Sequence, residues 1–289
     1  MKNNKIVKSI LSFMLFVSLI ALAACGNSGD GNSDDKTIII GHAPYDYELP
    51  DIEVTKILAD ELGYKVKVLE GDVGFMFASL DTGDIDIWPG VWLPSIHKTY
   101  QEQYEDKYEL GSAIYENAPI GWAVPTYVDI DSIDDLKGNE DKVGGKVIGL
   151  EPGAGMMLVS EQIIGAYDLD LELVSGSTAA MLAEAEYAVS QNEPILILGW
   201  RPHTMISKYD LKILDESKGY WEQDSQLWGI NEDFASKAPE IYSLVKNFKM
   251  SIEDHEDFLV HTEDGGDAAE WAQQWIDEHR AEIDSWLGK

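Results

Sequence analysis

The sequence predicts an α/β fold built as two open α/β units, and three observations predict it. Short β-branched runs alternate with helical patterns from residue 37 onward. That alternation restarts after Gly121. The chain has 289 residues, 45% of them hydrophobic and 10% aromatic, enough to build one large core or two smaller ones.

Residues 37–41 (TIIIG) read as the first strand. Asp51 opens a helical pattern with Val54, Ile57, Leu58 and Leu62 on one face, and Gly63 closes it. Residues 65–69 (KVKVL) alternate over most of their length, which predicts a strand with one buried side. Residues 75–80 follow as a helix and 84–88 (DIDIW) as a short strand, completing β-α-β-α-β. The second unit has strands at 146–150, 171–174 and 194–198 (PILIL), with helices at 156–167 and 179–191 between them. At the end, residues 271–286 predict one amphipathic helix with Trp271, Trp275, Ile283 and Trp286 facing the core.

The chain opens with Lys2, Lys5 and Lys8, no acid, and an apolar run over 10–24. A run this short and one-sided is a signal peptide, residues 1–24, rather than a spanning helix. Leu22-Ala23-Ala24-Cys25 resembles a bacterial lipoprotein signal, which implies that the lone cysteine, Cys25, is lipidated as the mature N-terminus and anchors the protein to the membrane. Residues 26–35 (GNSGDGNSDD) hold no apolar side chain, so 25–35 form a tether and folding begins near Lys36.

With 53 acidic against 21 basic residues the net charge is −32, which excludes nucleic acid as a partner. Such acidity carries self-repulsion that salt screens, as in a saline habitat. Enzyme motifs are absent: there is no Gly-rich loop ending in Lys-Ser/Thr, no His-Glu-x-x-His and no Gly-x-Ser-x-Gly. The histidines at 42, 97, 203, 255, 261 and 279 lack metal-ligand spacing, and no metal or cofactor is expected.

Aromatic residues carry what chemistry remains. Trp88 and Trp92 bracket Pro89-Gly90 after one predicted strand, Trp200 follows another, and Tyr45 and Tyr47 follow the first. Loops beyond strand C-termini face the ligand crevice of open α/β sheets, so Tyr45, Trp92 and Trp200 are candidates to converge there. The alternative is that each ring caps its own core.

The segments IGHAPYDYE (40–48), GVWLPSIHKTY (90–100) and LGWRPHTMISKYDLKIL (198–214) resemble stretches of the glycine betaine substrate-binding proteins of ABC importers. The resemblance runs through the chain from Lys36. It implies a type II periplasmic-binding-protein fold, two α/β lobes joined by two crossover segments, with lobe I at 36–120 and 221–289 and lobe II at 121–220. It further implies an extracytoplasmic, non-enzymatic monomer that captures glycine betaine or a related quaternary ammonium zwitterion. The ligand would pass to an ABC transporter permease for osmoprotection. Trp92 matches the Trp-Leu-Pro ring and Trp200 the Gly-Trp-Arg-Pro ring of a three-ring box. Tyr45 stands where the family usually has a third Trp, and a phenol presents a smaller negative face than an indole. His97 matches a carboxylate-binding histidine, and Gly155 and Met156 match backbone amides that hold the same carboxylate. Arg201 and His203 are expected to shape the turn after Trp200. Rival readings are a binding protein for choline, carnitine or ectoine, a sensor or adhesion module, and a surface-anchored hydrolase using Asp46, Glu48 or His203.

Overall fold

β-Branched residues with alternate burial make Thr37–His42 the first strand, β1, with Ile38 and Ile40 fully buried. The computed structural model describes residues 36–289. The expected signal peptide at 1–24 and the expected tether with Cys25 at 25–35 lie outside the described residues. The helix Leu49–Glu61 follows, with Pro50 in its first turn, where a missing N–H costs nothing, and Gly63 beyond its end at φ +80°. It leads to β2 (Lys65–Glu70), which pairs parallel with β1 along its whole length. The predicted buried side of β2 is not there. It is a sheet edge whose residues are all half-buried or exposed, Val68 at 40%.

The helix Val73–Thr82 starts where the Asp72 side chain accepts the Phe75 N–H at 2.8 Å. Strand β3 is Ile87–Leu93 rather than the predicted 84–88. Asp86 explains the shift: its carboxylate accepts the Ile39 N–H at 2.6 Å and pairs with Lys237 at 2.7 Å, so its side chain replaces a ladder bond. Pro89 is tolerated inside β3 because it has no N–H to leave unpaired, and its carbonyl accepts from Gln226 Nε2 at 2.6 Å.

Strand β4 (Glu109–Ala118) ends the first run of the chain through this sheet, and only Pro119 separates it from β5 (Ile120–Pro125). Next come β6 (Lys146–Ile148), the helix Gly155–Tyr167, β7 (Glu172–Val174) and the helix Thr178–Gln191. Strand β8 is Ile197–Trp200, three residues beyond the predicted start, since Pro194 cannot donate to a ladder. Strands β9 (Leu211–Ile213) and β10 (Asp224–Ile230) complete two five-stranded sheets, ordered β2-β1-β3-β10-β4 and β7-β6-β8-β5-β9. Both are mixed: β10 runs antiparallel to β3 and β4, and β5 runs antiparallel to β8 and β9. The chain thus passes between the sheets at Pro119 and again between β9 and β10.

The expected single C-terminal helix is two, Ala268–Glu278 and Arg280–Trp286. His279 interrupts them, its Nδ1 donating to the Trp275 carbonyl at 2.8 Å and its ring stacked on Trp275 at 4.3 Å. Trp275, Ile283 and Trp286 are core as expected. Trp271 is half-buried instead, with its indole N–H on Asp257 at 2.9 Å.

Candidate functional site

The parallel strands β1, β3, β6 and β8 end toward one cleft, where an open α/β sheet presents its ligand crevice. Past β1, the 3₁₀ turn Asp46–Glu48 carries Tyr47 and is preceded by Tyr45. Glu48 fixes this turn from below, accepting the Ala43 N–H at 2.9 Å and the Trp88 indole N–H at 3.1 Å. Burial pushes the Glu48 carboxyl well above the usual carboxylate range. Trp92 and Trp200 stand at the last positions but one and but zero of β3 and β8.

One pocket of about 340 Å³ empty volume gathers all six residues expected from the sequence, Tyr45, Trp92, His97, Gly155, Met156 and Trp200. Sequence reasoning had noted Tyr47 without assigning it, and had missed Ile96, Leu150 and Ala154, which complete the lining. The rings form a continuous wall. Tyr45 and Tyr47 stack at 5.5 Å, Tyr47 meets Trp92 edge-on at 5.3 Å, and Tyr45 meets Trp200 edge-on at 6.3 Å. The indole N–H groups of Trp92 and Trp200 are buried with no hydrogen-bond partner among the described residues. The lining contains no carboxylate, lysine, serine or cysteine, and its polar side-chain groups are the imidazole of His97, the two indoles and the two phenols.

The rest of the lining carries polar groups. The helix Gly155–Tyr167 begins without a side-chain cap, and neither the Gly155 nor the Met156 amide has an acceptor among the described residues. Two free N–H groups at a helix N-terminus suit an anion. A Cβ on Gly155 would lie 2.4 Å from the Ile96 carbonyl oxygen and 2.8 Å from His97, so only glycine lets these segments meet. His97 is 2% exposed, and its Nδ1 accepts the Trp92 backbone N–H at 3.0 Å. The ring proton therefore sits on Nε2, which has no protein partner among the described hydrogen bonds. Burial lowers the imidazole to about 3, so it is neutral.

Asp224, the first residue of β10, holds this turn. Its carboxylate accepts the Ser95 N–H (2.9 Å), the Ser95 hydroxyl (2.7 Å) and the Ile96 N–H (2.9 Å). No sequence signal links residues so far apart. Arg201 does not line the pocket: it forks Glu256 at 2.7 and 2.6 Å, on a helix whose His255 reaches Asp51 at 3.2 Å. That contact bridges the two halves, a wider task than shaping its own turn. His203 does shape that turn, its Nδ1 accepting the Met205 N–H at 3.0 Å.

The model for the substrate-binding domain of ABC-type glycine betaine transport systems matches residues 36–278, most of the chain. The protein belongs to this family. Lactococcal OpuAC, solved closed with glycine betaine, shares the fold at a TM-score of 0.81 and 30% identity, over 87% of this chain and 99% of that one. The glycine betaine/L-proline-binding protein ProX of Borrelia burgdorferi gives 0.81 and 29%, over 87% and 96%. The glycine betaine/carnitine transport binding protein GbuC of Listeria monocytogenes is 31% identical over 154 residues, and the match spans 50% of each protein. The chain thus spans about half the length of this curated relative. The two mixed sheets with flanking helices are the two α/β lobes of this substrate-binding family.

Proposed function

We propose that this protein captures glycine betaine, or a close betaine, and delivers it to the permease of an ABC importer for osmotic protection. It acts outside the cytoplasm, as a monomer tethered through a lipidated Cys25. The reading divides the chain into lobe I (36–120 and 221–289) and lobe II (121–220), closing on the ligand between them.

One observation carries the reading: a buried wall of four aromatic rings with no carboxylate in it, facing two free helix amides and a neutral imidazole donor. A trimethylammonium group donates no strong hydrogen bond and is cheaply desolvated, so ring faces suit it. At about 0.5–2 kcal/mol per ring, Tyr45, Tyr47, Trp92 and Trp200 supply about 5 kcal/mol in the middle of the range. Micromolar affinity needs about 8 kcal/mol. The ligand carboxylate contributes the difference at Gly155, Met156 and His97 Nε2. Choline, with a hydroxyl in that position, leaves buried donors poorly paired at about 1–3 kcal/mol, a loss of roughly 5- to 150-fold.

Calorimetry with glycine betaine, proline betaine, carnitine, choline and ectoine tests this. The expected result is tightest binding to a betaine, with Trp92→Ala and Trp200→Ala each weakening it by about tenfold or more. If both variants stay within about twofold of wild type, the box is not the binding site.

A further inference from the structure

The residue nearest to an electrostatic control of the box lies outside its lining. Glu151, in the loop between β6 and the helix Gly155–Tyr167, accepts the Tyr45 hydroxyl at 2.6 Å. It is half-buried, pairs with no lysine or arginine among the described residues, and lines a second cleft together with Tyr45, Trp200, His203 and one further carboxylate, Asp46. The pocket itself holds no carboxylate, and Glu151 places one at the hydroxyl end of Tyr45, a ring of the pocket lining.

The geometry points to Glu151 as the residue that sets the balance between monocations and zwitterions at this site, acting through Tyr45 and through space. The inference rests on the quaternary-ammonium reading of the box. A ring attracts a cation through its electron-rich face, and a phenol donating its O–H to a carboxylate is richer in electrons than a free one. Burial first, and Glu151 second, keep that phenol protonated and donating. The carboxylate thereby offsets the smaller face that Tyr45 offers in place of an indole. Its direct field discriminates between ligands: it attracts the single charge of choline without opposition. A betaine's own carboxylate is repelled by the same charge, which cancels much of the attraction. Glu151 therefore works against the zwitterion preference set by His97 and the helix amides.

The test is paired calorimetric titration of wild type and variants with glycine betaine and with choline, alongside thermal unfolding. Glu151→Gln keeps an acceptor for Tyr45 and removes the charge. It should weaken choline about tenfold and glycine betaine about threefold or less, so that the preference for betaine sharpens. Glu151→Asp keeps the charge and should hold the affinity ratio within about twofold of wild type. Tyr45→Phe cuts the hydrogen bond and leaves the charge, so it should move the ratio less than Glu151→Gln does. Equal losses for both ligands in Glu151→Gln would overturn the proposal, leaving Glu151 as a simple link between the two halves. A ratio shifted as far by Glu151→Asp as by Glu151→Gln would overturn it too. If Glu151→Gln does not fold, Glu151→Ala reads the same ratio. A wild type that binds neither ligand would sink the reading of the box itself.

Discussion

Trp92 and His97 exchange two bonds, the Trp92 N–H to His97 Nδ1 and the His97 N–H to the Trp92 carbonyl, each at 3.0 Å. A second ring proton would have to sit on Nδ1 against the Trp92 N–H, so geometry and burial both hold the imidazole neutral, with its value lowered to about 3. An unfolded histidine titrates near about 6.5, so between about 6.5 and about 3 the unfolded chain binds the extra proton and the folded one does not. Stability contributed by neutral His97 is complete above that window and is lost as pH falls through it, at about 1.4 kcal/mol per unit. Chemical denaturation of wild type and His97→Gln at several pH values should show wild type losing more stability on acidification. Parallel curves would mean that His97 titrates normally. At this scale the place of the pocket is legible in the sequence, because Trp92, His97 and Trp200 sit in motifs that span only a few residues and all three line it. Glu151 and Asp224 were invisible, since each acts on a partner more than a hundred positions away.

The turn over residues 93–97 is the element on which the site depends, and Asp224 organises it from the start of β10. Three neutral donors converge on one carboxylate that is itself fully buried. Burial raises the Asp224 carboxyl while these bonds hold it down. Asp224→Ala orphans the donors, at about 1–3 kcal/mol for each that water does not reach. The turn should loosen and carry His97 away from the pocket. Glycine betaine affinity should fall about tenfold or more, and choline affinity less, since choline has no carboxylate for His97. An unchanged affinity with lowered thermal stability would make Asp224 a fold residue only. Strand periodicity located the elements but misplaced β3 and β8 by three residues at their starts. In both cases the apolar pattern was right and a proline or a ladder-replacing aspartate moved the pairing, which periodicity alone cannot register.

At the scale of the whole molecule, the site is closed. Tyr45, Tyr47, Trp92 and Trp200 are between 2 and 6% exposed, so a trimethylammonium group reaches them from solvent only after the site opens. Among the described residues the chain crosses between the sheets at Pro119 and over 214–223, and rotation about these two segments is the economical way to open the cleft. Across its mouth the closed form is held by Tyr100 on the Gly153 carbonyl (2.9 Å), Thr204 on Glu263 (2.6 Å) and the Arg201–Glu256 fork. Solution scattering should therefore report a smaller radius of gyration for the mature domain with saturating glycine betaine than without it. A profile that does not change would mean the pocket is entered by side-chain motion instead of by a hinge. Arg201 and Glu256 are about a third and a quarter exposed, which limits their pair to about 0.5–1 kcal/mol. Arg201→Ala should weaken betaine about two- to fivefold, because it removes a contact made only when the sheets are together. It should also shift the unliganded scattering toward the open form. Complete loss of binding with intact thermal stability would instead make Arg201 a direct ligand of the betaine carboxylate.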